Sequence, residues 1–414
     1  MQRYSAFSLF AKGLRGHREW KAAWDDVTPR ARYDAVIIGG GGHGLATAYY
    51  LAKNHNLRNV AVIERGWIGG GNTGRNTAII RSNYFYPESA NFYDFSLKLY
   101  EKLTNELNYN IMFSPRGHWM LAHDRHGSEM LQRAANAMLL NGVDARLCSA
   151  AEVHKKIPYL NESPRFPVTS GLVQPRAGIA RHDAVAWGYA RAANHLGVDI
   201  IQDCNVVELD IQNQEIRGVV TTRGKIATER VGVAVAGQSS ELAALAGFEL
   251  PITSYGLQAC VTEPIKPFLN TVITSSATGL YVSQSDKGEI VVGSALDLYG
   301  SYAQRGNLPV FEHSAAALKE LFPTLSRLRF LRQWAGVVDV TPDSTPIVGP
   351  TPVRNLFINC GWGTGGFKAI PGSGYCFAHT IATGSPHPLI KAFSLERFIS
   401  GSLINETAAS GIEH

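Results

Sequence analysis

Residues Val36–Ala48 read VIIGGGGHGLATA, and the reading of this stretch decides the fold. Ala35 to Ile38 are small or apolar throughout, as a strand buried in a parallel sheet requires. The glycines then fall as G-x-G-x-x-G at Gly39, Gly41 and Gly44, and a helix is predicted to follow through Leu51. Gly39 serves the tight turn, Gly41 lets backbone approach a pyrophosphate, and Gly44 lets helix and strand pack closely. The N-terminus of that helix would point free N–H groups at the phosphates. The next strand, Val60 to Ile63, ends in Glu64, about 20 residues on, where an acid can hydrogen-bond a ribose hydroxyl. A glycine fingerprint alone is a weak signal. Strand, glycine turn, helix, strand and acid in succession predict a dinucleotide site.

With 414 residues the chain outgrows one simple core, so two domains or one large doubly wound unit are expected. The 41 glycines exceed the usual share and suit a fold with many tight turns between strand and helix. A net charge of +5, with no long basic run, argues against nucleic acid as the main partner while suiting an anionic cofactor. The five cysteines (Cys148, Cys204, Cys260, Cys360 and Cys376) are scattered and never spaced C-x-x-C. Neither a disulfide framework nor a metal site is expected, and a reducing, cytoplasmic setting is the default. No apolar run reaches the roughly 18 residues that would span a membrane. The opening segment MQRYSAFSLFAKGLRGHR is basic, free of acids and amphipathic in places, as an organellar transit peptide can be. A retained N-terminal extension over residues 1–30, packed on the domain or on a partner, is the expectation.

Strand and helix signals alternate through the first hundred residues, giving an α/β (α+β) reading. From Asn110 to Pro167 the glycine pattern is lost, and short strands accompany a helix near Glu129 to Leu140. A helix from Ala184 to Leu196, the strand Val198 to Gln202 and paired strands near Val206 to Asp210 and Ile216 to Thr222 come next. The strand Arg230 to Ala236 leads into small residues that begin another helix. The alternating segments GLYVSQ (279–284) and EIVVGS (289–294) predict hairpin strands. Asn355 to Gly374 return to strand, glycine loop and helix, the helix running to about Ala382. The pattern predicts a Rossmann-like cofactor-binding domain in three pieces, 31–110, 170–250 and 332–414. A discontinuous, sheet-rich substrate domain would use 111–169 and 251–331.

Glu64–Tyr84, ERGWIGGGNTGRNTAIIRSNY, places backbone and small polar donors without bulk directly after the ribose-binding acid. Equally glycine-dense character recurs at Cys360 to Gly374, so two distant loops are expected to clasp one extended cofactor. These motifs, with TPDSTPIVG (341–349), resemble the amino-acid oxidase superfamily that binds flavin adenine dinucleotide (FAD). Within it, GGGGHGLATAYYLA (39–52), GGGNTGRNTAIIRSNY (69–84), QPRAGIARHDAVAW (174–187) and NCGWGTGGFK (359–368) are similar to the β subunits of heterotetrameric sarcosine oxidases. The likeness runs over nearly the whole chain.

The resemblance implies an FAD site formed by Gly39, Gly41, Gly42, His43, Gly44, Glu64, Asn72, Thr73, Arg75, Thr77, Ile79, Val206, Gly363, Gly366 and Lys368. It implies that Arg81 and Lys368 hold the substrate carboxylate through charge-assisted hydrogen bonds. It also implies FMN attached covalently to His182, with Arg181 neutralising the phosphate. Arg332, in LRQWAG, either joins Arg181 or packs by stacking and salt bridge. Single-chain relatives tether FAD to a cysteine ahead of the G-F-K loop. The matching GVVDVTPDST (336–345) holds none, so FAD is expected to be non-covalent. Cys360 reads as a small packing residue, and His154, His195 and His379 read as structural. Of Tyr84, Phe85 and Tyr86, only Tyr84 is a candidate for the cavity wall.

The likeness implies oxidative demethylation of sarcosine to glycine and formaldehyde, or to methylene-tetrahydrofolate on a partner, with hydrogen peroxide formed from oxygen. The implied partners are α, γ and δ subunits. A flavin amine oxidase or dehydrogenase for dimethylglycine, glycine or a D-amino acid is the alternative. A flavin-carrying electron-transfer or scaffold subunit without its own turnover is a third.

Overall fold

The computed structural model describes residues 5–407 except 17, 19–21, 26, 164 and 276, and no side chain at 294 or 295. Parts of the expected extension (1–4 among them) and the stretch 408–414 therefore lie outside the described residues. Strand Ala35–Ile38 sits inside a six-stranded sheet. Its order is Ile347–Pro350, Leu356–Cys360, Val231–Val233, Ala35–Ile38, Val60–Ile63, Asp199–Ile201. All neighbours run parallel except the edge strand Ile347–Pro350.

Alternation along the strands sends side chains to two different covers. Ala35, Ile37, Val60 and Val62 pack under helices Gly42–His55, His182–His195 and Gly366–Thr383. Val36, Ile38, Ala61 and Ile63 meet an antiparallel meander, Val206–Gln212, Glu215–Thr221 and Gly224–Ala227. One face of the cofactor sheet is thus covered by helices and the other by strands. Being buried on both faces, the central strands read as unbroken apolar runs.

The second sheet has eight strands: Phe330–Val340, Thr253–Pro264, Glu289–Leu296, Leu280–Gln284, Val272–Ser275, His118–Ala122, Ser170–Gln174 and Arg146–Ser149. GLYVSQ and EIVVGS do form antiparallel neighbours there. Two strands depart from the expected segment boundaries. Ser170–Gln174 and Phe330–Val340 fall at the edges of the expected cofactor pieces, yet both belong to this larger sheet. Their residues are largely buried, so periodicity gave no sign of which sheet they join.

Local boundaries also shift. The middle helix begins at Arg125, where the Asp124 side chain caps it. The helix expected from Ala184 starts at His182. Only Val231–Val233 of the segment 230–236 is strand, followed by a 3-10 turn at Ala236–Gln238. Helix Ala6–Leu14, capped by Ser5, has no fully buried residue, and Ser8, Ala11 and Lys12 are half-buried. No helix among the described residues is long and apolar enough to cross a membrane.

Candidate active site

A cavity of about 1260 Å³ is lined from both sheets. This exceeds the roughly 300–1,000 Å³ of an ordinary small-molecule pocket, as an extended dinucleotide requires. Gly39, Gly41, Gly42 and His43 form one wall, at the N-terminus of helix Gly42–His55. Gly39 takes φ +111°, and a Cβ there would stand 2.3 Å from the Ala234 carbonyl. Gly44 lies beneath, where a Cβ would come within 1.9 Å of the Gly39 oxygen, so its role is close packing. Gly41 is tight as well, since a Cβ there would stand 3.2 Å from Thr73 Oγ1. The Gly42 N–H donates to that same hydroxyl at 3.0 Å.

Glu64 faces the cavity, and its two oxygens accept from Gly40 N (2.8 Å) and Gly66 N (2.9 Å). The carboxylate is thereby oriented, with lone pairs to spare for a hydroxyl donor. The loop beyond it is clamped to the second sheet. Asn72 exchanges hydrogen bonds with both backbone groups of Val337, and the Trp334 indole donates to Arg75 O at 2.6 Å. The Arg75 guanidinium closes on Gly70 O and Gly71 O. Asn72, Thr73, Arg75, Thr77, Ile79 and Val206 all line the cavity, as do Gly363 and Gly366 of the distant terminal loop.

Lys368 sits in the first turn of helix Gly366–Thr383, which contains Pro371. Proline lacks the N–H that would reach the Phe367 carbonyl. That carbonyl instead accepts from Tyr100 Oη at 2.6 Å, while Ser96 Oγ donates to Lys368 O at 2.8 Å. Helix Pro87–Glu106 thus props the turn that carries the lysine. Lys368 is buried, and Nζ donates one of its three hydrogens to Thr364 O at 2.8 Å. Burial, and then the nearby Arg81 charge, hold its pKa well below the usual lysine value. Arg81 lies 4.9 Å over the Tyr84 ring, which stacks on Tyr93 at 3.8 Å. Tyr84 is therefore a buried shelf under Arg81 and does not line the cavity. Two cations facing one cavity, one of them desolvated, form a receptor for an anion.

Several cavity groups escaped the sequence reading. His118 and Met120 reach the cavity from the second sheet. Burial, then the charges of Arg81 and Lys368, push the His118 imidazole well below its normal pKa. Asp339 is buried with Oδ2 unpartnered and Oδ1 accepting from Ser254 Oγ at 2.9 Å. The neighbouring Ser239 hydroxyl is spent on Ala236 O. Burial raises the Asp339 pKa to about 6. Asn359 accepts from the Trp362 indole at 2.6 Å and leaves Nδ2 without a partner. Orphaned polar atoms of this kind are rare in native interiors, and both side chains line the cavity. With the glycine cradle and Glu64, they fit a large polar cofactor such as FAD. His43, stacked on Trp362 at 5.1 Å and bonded to Ser373, is kept neutral by burial at a pKa of about 4.

Three expected residues stand elsewhere. The Arg181 guanidinium is held in a two-bond ion pair with Asp183. His182 is the first residue of helix His182–His195, and burial lowers its pKa. Arg332 lines a separate recess of about 360 Å³ with Phe311, Phe330 and Gln333. None of the three lines the large cavity. All five cysteines are free and buried, with Cys360 in the core beneath the terminal loop. Among the described residues no cluster of three His, Cys, Asp or Glu side chains is arranged to hold a metal ion.

Residues 34–380 match the model of the family described as FAD dependent oxidoreductase. The chain is 50% identical to sarcosine oxidase subunit beta of Rhodobacter capsulatus, over 100% of both chains. It is 52% identical to the subunit of that name from Rhizobium meliloti, over 98% of this chain and 97% of that one. Among solved structures, L-proline dehydrogenase from P. horikoshii superposes with a TM-score of 0.85 at 28% identity, covering 91% of this chain and all of the other. A glycine cradle, an oriented acid and two cations, one of them desolvated, are thus set in a framework shared with these proteins, and the chain belongs to the FAD dependent oxidoreductase family.

Proposed function

We propose that this chain is the catalytic β subunit of a heterotetrameric sarcosine oxidase, with α, γ and δ subunits as partners. The pairing of half-buried Arg81 with buried Lys368 on the wall of an FAD-sized cavity carries the reading. A small amino acid needs one strong anchor, and its carboxylate satisfies both cations at once. Anchoring there leaves the N-methyl group as the free end of sarcosine, turned into the cavity.

FAD, bound without a covalent link, supplies the acceptor for the hydride equivalent that the N-methyl group loses. The chain's own contribution is orientation and exclusion of water. Lys368, deeply buried and tied to Thr364 O, fixes one end of the substrate. Arg81, supported by Tyr84 below, fixes the other side of the carboxylate. Hydrolysis of the substrate imine by water would then release glycine and formaldehyde, or the one-carbon unit would pass to tetrahydrofolate on a partner subunit.

His182, outside the FAD cavity and at a helix N-terminus, is the proposed attachment point of FMN, which would supply the site at which oxygen is reduced to hydrogen peroxide. Its lowered pKa keeps the imidazole neutral, as attachment through a ring nitrogen needs, and a helix N-terminus favours a phosphate. Arg181 and Arg332 are the cations proposed to meet that phosphate.

Anaerobic addition of sarcosine to the purified complex tests the first part: bleaching of the flavin spectrum is expected. Bleaching by dimethylglycine or glycine in its place would overturn the substrate assignment, and no bleaching by any of them would leave an electron-carrying subunit. Acid precipitation tests the second part. Flavin in both pellet and supernatant is expected, and loss of the pellet flavin in His182→Ala identifies the attachment.

A further inference from the structure

His118 lies on strand His118–Ala122 beside Gln174, its register partner in Ser170–Gln174. Both grip the segment that carries Arg81. Gln174 accepts from Ser82 N at 2.9 Å and donates to Ser82 Oγ at 2.7 Å. One residue on, the Arg81 guanidinium donates to Asn83 Oδ1 at 2.7 Å. Arginine has no acceptor, so the Asn83 oxygen must face it and the NH2 must face away. That NH2 lies 3.3 Å from His118 Nδ1, which therefore accepts and carries no proton. The ring's proton is then on Nε2, which donates to Thr274 Oγ1 at 2.5 Å. Each link fixes the next: guanidinium, amide, imidazole, hydroxyl. His118 and Asn83 are almost wholly buried, which strengthens the bonds between them.

We infer that His118, acting through Asn83, is a positioning residue that fixes the Arg81 guanidinium for a carboxylate and does so only as a neutral imidazole. The inference rests on the proposed role of Arg81. A protonated ring would set an N–H against the Asn83 N–H, so Asn83 would have to turn its oxygen away from Arg81. The two cations facing the ring, Arg81 and Lys368, work against that protonation. With both ring nitrogens engaged, His118 is not placed as the base for the substrate amine.

The test uses the purified flavin-loaded complex and acetate, a carboxylate without an amine, titrated against the flavin absorbance. His118→Leu and Asn83→Leu are expected to raise the acetate Kd and the sarcosine KM about tenfold each, as loss of a bond to a charged group does. His118→Asn, whose amide oxygen can stand where Nδ1 stands, should recover all but about threefold. The double variant His118→Leu/Asn83→Leu should be no worse than either single one, because the residues act as one chain. Acetate Kd values within about twofold of wild type in both single variants, or fully additive losses, would overturn the inference. Should His118→Leu fail to fold, Thr274→Val removes only the far link. A shift of about threefold then supports the chain, and an unchanged Kd sinks it. Wild-type complex that binds acetate but is not bleached by sarcosine refutes the substrate assignment alone, since acetate reads the anion site by itself.

Discussion

Lys368 shows how burial turns an ordinary side chain into a receptor. Its ammonium is desolvated beside a second cation, so its pKa falls, and a bound carboxylate repairs both costs. Raising the pH discharges the lysine sooner than it would a free one. Sarcosine KM is therefore expected to climb at a pH below the normal lysine range, and Lys368→Met to lose that limb. The same variant should raise KM at neutral pH by about tenfold or more while keeping its FAD; an unchanged acid-extractable flavin content checks the second half. Asp339 offers the opposite case. Its folded-state pKa of about 6 lies above the unfolded value, so ionisation opposes folding. The penalty is absent well below the unfolded pKa, grows as pH rises between the two values, and is complete above about 6. Flavin-free Asp339→Asn is expected to melt higher than flavin-free wild type at pH 8, with the gain shrinking toward pH 4. A constant gain would mean that the carboxyl is not neutral when folded. Arg81 and Lys368 were legible in the sequence through their motifs. His118, Asn83, Asp339 and Asn359 were not, because an isolated polar residue in a strand carries no sign of what it will face.

At the scale of elements, the terminal helix depends on another helix for the geometry of its first turns. Pro371 leaves the Phe367 carbonyl without its helical partner, and Tyr100 Oη replaces it. Tyr100→Phe removes only that hydroxyl and strands a buried acceptor, at a cost of about 1–3 kcal/mol. A lower melting temperature with a raised sarcosine KM is the expected pair of results, since Lys368 is the residue after Phe367. A melting change without any kinetic one would show that the turn holds Lys368 unaided. The glycine-rich loop after Glu64 depends on tertiary partners in the same way. Asn72 and Arg75 read as cofactor ligands, and the structure shows them also clamping the loop through Val337 and Trp334. The motif announced that the loop mattered. It could not say that the loop is fastened to a strand more than two hundred and fifty positions away.

Across the whole molecule, the C-terminal stretch is locked by Asp343 and Arg397, a fully buried pair joined by two hydrogen bonds at 2.8 and 2.9 Å. Burial pushes the Asp343 carboxyl up, but the Arg397 bonds and charge outweigh it and leave the pKa lowered. The stabilisation is therefore present above the unfolded carboxylate pKa and is lost as pH falls through the depressed folded value. Arg397→Met is expected to cost about 3–5 kcal/mol, because it leaves a carboxylate buried and uncompensated. Urea unfolding at neutral pH measures it, and a loss under about 1 kcal/mol would mean that water reaches the pair. The sequence by itself determined the glycine turn at Gly39–Gly44, the acid at Glu64, the alternation of helix and strand and the second glycine loop, because each is a local device whose residues stand close together in the chain. Tertiary structure alone decided that Ser170–Gln174 and Phe330–Val340 join the larger sheet, and that His118, Asp339 and Asn359 share a cavity with Arg81 and Lys368. The reason is physical: register between strands and desolvation inside a cavity are properties of neighbours in space, which local periodicity does not encode.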